Sequence, residues 1–499
     1  MSKTDLTALS TTATQLVPFA APAVHTSAVG PLTWGQLCIW DVLRRLPAGD
    51  DSLNMAEWRP VVVPLSVSQV AGLLGQLLER HEALRSHYFP DADGEPAQRV
   101  LPEGKLDALL VECGPGNPAE WAEDIGRRMR RGAFDEASEL PLRVAILTRA
   151  GAPVAVVLVI SHMAVDRWSM SLLAEELADC LTSGSADTLP PRARQPLERA
   201  AFEGSASGIR RERSTLDYWA RSLRRTPRAL LAATSTPDEA QRDWAAIESP
   251  AMARAVRALA ARAATTTGMV LIGAVTLLLA LRAGTTAGSM RLIVSTRSDP
   301  RDRGFVGPIN QNALLRLDLE KESFDEWLRR SSAATLLAYR RCEADPRKVE
   351  ALAAEVAREA GFQADGYCFL NDVRTNESQR PNALEPAGAG SHDDPSGPTR
   401  LVRLDLPGRQ VGAKFFLYLE RLDETCLLKL CKDPEFLGES TALDFLADLE
   451  RLLIRAAVTP SPRIEELASW LLEPGTATAK GRRGLAGDVP GSDVAHTRE

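Results

Sequence analysis

A chain of 499 residues is too long for one ordinary hydrophobic core and suggests two domains of about 200 residues each. Hydrophobic content of 44% with 25% charged residues is ordinary for a soluble globular protein, and a net charge of −7 argues against bulk nucleic-acid binding. Seven cysteines lie scattered without metal-ligand spacing, and with no secretory signal at the start a reduced, cytoplasmic setting is the simplest expectation.

Residues 1–28, rich in Ala, Thr and Ser, read as a disordered tail. A first module is expected over 29–189. Within it Val70, Leu73, Leu74, Leu77 and Leu78 fall on one stripe and predict a helix over 67–81. A strand-like stretch begins at Ser86–Phe89. Strands at 142–147 and 154–161 are expected to pair across the Ala150-Gly151-Ala152-Pro153 break, and a helix over 168–181 follows. Residues 190–212, rich in Ser, Pro and Arg, look like a linker.

The second module, 213–473, repeats the theme. Helices are expected at 213–223, near 252–282, at 324–340 and at 443–456. Strands are expected at 291–295, 366–370, 414–419 and 424–430. The uncharged run Ala263–Leu281 contains threonines and glycines mid-domain and reads as a buried helix rather than a membrane span. Residues 375–400 form a Gly/Pro/Asp/Ser-rich insertion, a surface loop or a crossing between lobes, and the tail from 474 to 499 reads as disordered. Alternating helices and strands in two similar halves suggest a pseudo-dimeric α/β architecture.

The segment with most chemistry in it is Val154–Ser169. Its apolar run ends abruptly at Ser161-His162, and Asp166 stands four residues after the histidine. The run reads as a strand buried on both faces, and a histidine at its mouth sits where a general base is needed. A satisfied histidine in a strand-to-helix turn has the same local pattern. No His-Glu-x-x-His, Cys-x-x-Cys, phosphate loop, dinucleotide fingerprint or Gly-x-Ser-x-Gly elbow is present. His81 and His87 read as structural; His25, His392 and His496 lie in loop or tail segments.

Five segments recur in a familiar order. Leu32–Trp40 is similar to an opening "S-x-A-Q-x-R-M-W" helix, and Arg80-His81-Glu82-Ala83-Leu84-Arg85-Ser86-His87-Tyr88 to "R-H-E-x-L-R-T-x-F". Ser161–Ser169 stands at "H-H-x-x-x-D-G-W-S", Tyr218-Trp219 with Leu223 at "Y-W-x-x-x-L", and Val306–Arg316 at "I-G-x-F-V-N-T-L-P-L-R". In these the chain resembles the condensation domains of nonribosomal peptide synthesis, within the superfamily of chloramphenicol acetyltransferase.

The resemblance implies two acetyltransferase-like lobes in a V with a central tunnel. It implies His162 as the catalytic residue that deprotonates or positions the nucleophile, with Ser161 in the place of a structural histidine. It implies Asp166 as a holder of the motif loop, paired with an arginine of the second lobe, for which Arg297 is the candidate; a solvated charge in an Arg/Asp-rich loop is the alternative there. Arg167 replaces the motif glycine, and either points to solvent or narrows the tunnel and attracts an anion. Trp168, Ser169 and Gln311, the last in place of an asparagine, are further candidates for the tunnel wall.

The implied activity is a free-standing condensation-like acyltransferase that forms an amide or ester from an acyl or aminoacyl thioester and an amine or alcohol. The donor is expected on the phosphopantetheine of an acyl or peptidyl carrier protein, or as a CoA thioester, with no bound cofactor or metal and no nucleic-acid or membrane partner. A silent recruitment domain that docks carrier proteins or tailoring enzymes is the rival reading. An epimerase-like domain, sharing the histidine motif, is the third.

Overall fold

The computed structural model describes residues 12–20, 28–234, 242–364, 367–374, 397–406 and 412–472. They form two compact units, one with the chain up to Arg210 and Ser295–Asn310, the other with Arg211–Val294 and the chain from Gln311.

The first unit opens with β1 (Thr12–Ala20), β2 (Ala28–Pro31), α1 (Trp34–Leu43), β3 (Asn54–Pro60) and α2 (Val67–Arg80). It continues with β4 (Ser86–Pro90), β5 (Pro96–Val100), β6 (Glu103–Glu112), α3 (Pro118–Met129), β7 (Leu142–Arg149) and β8 (Ala152–Ser161). Helices α4 (Arg167–Ser183) and α5 (Pro196–Glu203) follow. A five-stranded sheet has the order β1-β6-β7-β8-β3, and a smaller one the order β2-β5-β4.

Strand β8 lies inside the larger sheet, antiparallel to both neighbours, with Ile160 opposite Met55 of β3 and Leu142 of β7. Its Val156, Leu158 and Ile160 pack with α2 and α4, and its Ala155, Val157 and Val159 pack with α3. An apolar residue at every position therefore suits a strand with helices on both faces. Helix α2 starts in a capping box between Ser66 and Gln69 and buries the stripe Val70, Leu73, Leu74, Leu77 and Leu78.

Helix α6 (Ala206–Arg225) leads into the second unit. There α7 (Arg228–Leu231), β9 (Asp243–Ser249), α8 (Pro250–Ala263), α9 (Thr267–Arg282), β10 (Ala287–Ser295) and β11 (Asn310–Asp318) come first. Helices α10 (Phe324–Tyr339) and α11 (Pro346–Glu359), strands β12 (Tyr367–Asp372), β13 (Arg400–Leu404), β14 (Ala413–Leu422) and β15 (Cys426–Lys432), and helices α12 (Ala442–Val458) and α13 (Ile464–Leu472) follow. The seven strands have the order β11-β10-β12-β14-β15-β9-β13. Residues of α8, α9, α10 and α12 bury one face of this sheet in the largest apolar cluster.

Several expectations are corrected. Part of the supposed tail, Thr12–Ala20, is an edge strand that pairs antiparallel with β6 and buries Val17 and Phe19. The supposed linker at 190–212 holds α5, opened by Pro196 and a Gln195–Glu198 capping box, and the start of α6. The helix expected near 252–282 is two helices, broken at Ala264 (φ 52°) and restarted by the Thr266 cap. Their axes bend by 101°, and no single helix among the described residues is long and apolar enough to cross a membrane. The 443–456 helix is not the last; α13 follows it. His25, His392, most of the 375–400 insertion and the 474–499 tail lie outside the described residues.

Candidate active site

Everything at this site hangs on the turn between β8 and α4. His162 follows the last residue of β8, is 4% exposed, and donates its backbone N–H to Leu53 O at 3.1 Å. Its Nδ1 lies 2.6 Å from Val165 O. A carbonyl only accepts, so Nδ1 carries a proton, and it is Nε2 that keeps the lone pair in the neutral ring. That tautomer is the one a general base requires at Nε2. Met163, next in the turn, is fully buried with Leu32, Trp34, Leu37 and Tyr88.

Asp166 is the N-cap of α4 and accepts the Ser169 N–H at 2.8 Å. Its two oxygens also take a bidentate pair of bonds from Arg297, Nη1 to Oδ2 at 2.7 Å and Nη2 to Oδ1 at 2.8 Å. Ile309 N–H approaches Oδ2 at 3.4 Å. Burial pushes this carboxyl up, but the Arg297 charge and the hydrogen bonds from Arg297 and Ser169 outweigh it and hold it below the usual carboxylate range. No bond runs from Asp166 to the imidazole, whose Nδ1 is taken by Val165, so Asp166 shapes the turn rather than the ring's proton.

Arg297 also reaches Ser169 Oγ at 2.7 Å and Gly307 O at 3.1 Å. The resemblance implies this arginine in the second lobe; here Ser295–Asn310 packs within the first unit. A buried ion network holds that segment there. Asp302 is fully buried and takes Arg199 Nη1 on Oδ2 at 2.8 Å and Arg194 Nη1 on Oδ1 at 2.9 Å. Arg199 in turn binds Glu203 Oε1 at 2.8 Å, and Glu203 Oε2 accepts the Trp34 N–H at 2.8 Å. The segment also passes close to α1: a Cβ on Gly35 would lie 2.2 Å from Pro308 O. Gly307 has φ 150°, a region that disfavours side chains, and a Cβ there would meet the Phe305 ring at 2.6 Å.

Thus Ser161, His162, Asp166, Ser169 and Arg297 come together. Ser169, expected on a substrate wall, is fully buried, and its Oγ accepts the Gly307 N–H at 3.0 Å; it belongs to the scaffold. Arg167 is half-buried at the first position of α4, and its side chain makes no hydrogen bond or ion pair among the described residues. Trp168 is 41% exposed. Gln311 is buried in β11 of the second unit. The residues that sequence reasoning did not single out are Glu136, bonded to Ser161 at 2.5 Å, and the Asp302 network. Among the described residues no cluster of His, Cys, Asp and Glu is arranged to hold a metal.

With this geometry in place, the chain proves to match the condensation domain family over residues 35–350, and it belongs to that family. Condensation domains generally form amide bonds in nonribosomal peptide and related natural-product biosynthesis, using thioesters on carrier proteins. The chain is 28% identical over 341 residues to a probable non-canonical nonribosomal peptide synthetase, CymA, of Salinispora arenicola (strain CNS-205), covering 64% of this chain and 4% of that protein. It therefore spans only a small part of the length of such a relative. Among solved structures it is similar in fold to one reported for condensation domain-mediated chain release from the enacyloxin polyketide synthase, with a TM-score of 0.63, 19% identity and coverage of 94% and 86% of the two chains. It is similar too to a complex of the X-domain and OxyB from teicoplanin biosynthesis, with a TM-score of 0.62, 18% identity and coverage of 90% and 98%.

Proposed function

We propose that this chain is a condensation-type acyltransferase. It joins an acyl or aminoacyl thioester, presented on the phosphopantetheine of a carrier protein or as a CoA thioester, to an amine or alcohol. The carrying observation is the Nδ1 bond of His162 to Val165 O, which leaves Nε2 as a proton acceptor. In this reading the acceptor's N–H or O–H proton moves to Nε2 as its N or O attacks the thioester carbonyl carbon. The tetrahedral adduct then expels the thiolate, which takes the proton back from Nε2. Asp166, Arg297 and Ser161 keep the turn in register and touch no reactant.

The reading takes over from the family the two lobes in a V about a tunnel, with Arg167, Trp168 and Gln311 as candidates for its wall. Arg167, a permanent cation with no described partner, favours a donor or acceptor that carries negative charge. A cytoplasmic setting, no bound cofactor and no nucleic-acid or membrane partner belong to the same proposal.

The test is intact-mass analysis of the full chain with a panel of loaded carrier proteins and amine or alcohol acceptors. Transfer of the acyl group, with the carrier returned to its free-thiol form, is the expected outcome. Carrier binding with no transfer for any pair would favour the recruitment reading instead.

A further inference from the structure

Position 161 is a serine where the family motif has its first histidine, and the surroundings of that serine are built for it. Ser161 is 2% exposed at the end of β8. Its hydroxyl donates to Glu136 Oε1 at 2.5 Å and accepts the Met163 N–H at 3.2 Å. Glu136 is anchored by its own backbone, whose carbonyl accepts the Tyr88 N–H of β4 at 2.7 Å. The chain Tyr88–Glu136–Ser161–Met163 therefore spans the turn that carries His162.

Glu136 is an uncomfortable residue to keep. Its Oε2 is buried and, among the described residues, has no hydrogen-bond partner and forms no ion pair. Besides its bond to Ser161, the charges that act on it are those of Arg143, Glu139 and Asp135. Arg143 is engaged elsewhere, on the carbonyls of Met129, Gly132 and Ala133 and over the Phe134 ring. Glu136 as a whole is half-buried, but a carboxylate oxygen taken out of water and left unused costs stability. An apolar side chain would fill the space at less cost, but would leave the Ser161 hydroxyl without its acceptor.

We propose that Glu136 is a positioning residue for His162: through the Ser161 hydroxyl it fixes the Met163 N–H, and with it the turn that holds the imidazole against Val165 O. This inference rests on the proposed role of His162 as base. The task needs an acceptor oxygen rather than a charge, because Oε1 accepts from Ser161 in either protonation state, and so does the amide oxygen of glutamine.

The experiment reads the ring nitrogens of His162 directly, with no substrate. The full chain is labelled with 15N-histidine, and His162→Ala assigns its signals. In the native chain His162 shows the Nδ1–H tautomer. Glu136→Ala and Ser161→Ala each mix the tautomers to a similar degree, and the double variant is no worse than either. Glu136→Gln keeps the native signals. If Glu136→Ala does not fold, Ser161→Ala, which deletes one oxygen, carries the test alone. Unchanged His162 signals in Glu136→Ala or Ser161→Ala, additive effects in the double variant, or Glu136→Gln behaving like Glu136→Ala overturn the proposal. A native chain that transfers no acyl group yet gives the expected tautomer series overturns the proposed function and leaves the positioning role standing.

Discussion

Arg297 meets Asp166 with both arms of its guanidinium, at 2.7 and 2.8 Å, and neither side chain is more than 5% exposed. The pair fastens the start of α4 to a segment that arrives from 131 residues further along the chain. Removing one partner strands the other charge out of water, which typically costs about 3–5 kcal/mol. Asp166→Ala and Arg297→Ala are both expected to lower the melting temperature markedly and to lower activity with it. Arg297→Lys does not rescue, because a point-like ammonium does not reproduce the fork. Thermal melts of the three variants check this; unchanged melting with lost activity would move Asp166 from scaffold to direct chemistry.

Two carboxyls at this site give stability opposite slopes with pH. Burial, outweighing the Ser161 bond and Arg143, pushes Glu136 up to about 7. Its unfolded value is about 4.3, so between these values the folded chain binds the proton more tightly and stability falls as pH rises, levelling off above 7. Asp166 is held below the usual range, so its contribution is full above the unfolded value of about 3.9 and is lost as pH falls through the folded value. Glu136→Gln is therefore expected to gain stability over the native chain at pH 8 and to gain much less at pH 5. Urea unfolding at the two values checks it, and an equal difference at both contradicts it.

Gly35 offers a test of packing with two opposing terms. It sits near the start of α1, where alanine would favour the helix by about 1 kcal/mol over glycine. The Cβ would, however, lie 2.2 Å from Pro308 O, and that contact is backbone that must shift. Overpacking of this kind costs about 1–3 kcal/mol. Gly35→Ala is expected to be destabilising in chemical denaturation; a stabilised variant would mean that the 295–310 segment yields freely.

Arg167 places a cation at the N-terminal end of α4, where the helix dipole disfavours positive charge by about 0.3–1 kcal/mol. Arg167→Gln is expected to melt at the same temperature or slightly higher. With Arg167 as a substrate contact, the same variant raises KM for an anionic substrate and leaves a neutral one unchanged. Equal kinetics for both would remove it from substrate selection.

The parts of this architecture that were legible beforehand are those written in local periodicity. The run from Val154 to Ile160 is apolar at every position because α2, α4 and α3 cover both faces of β8, and the α2 stripe is continuous over Val70–Leu78. What was hidden depends on distant partners. Val17 and Phe19 alternate as a strand should, but an Ala/Thr/Ser-rich background masked two residues of signal until β6 supplied the pairing. The Arg/Asp-rich stretch 297–303 looks like a solvated loop, and only Arg194 and Arg199, about 100 residues earlier, turn Asp302 into a buried anchor. Glu136 sits outside any periodic element, 25 residues from Ser161, and nothing local marks it. The Pro196 start of α5 and the Thr266 cap, by contrast, were readable signals that the surrounding composition obscured.

The most direct test of His162 as the base is His162→Ala in the intact-mass transfer assay, using whichever donor and acceptor the native chain accepts. Loss of one positioned base is expected to lower the rate by about 10²–10⁴, with carrier binding retained and the melting temperature little changed, since the imidazole bonds only Val165 O within the turn. Turnover near that of the native chain would contradict the assignment.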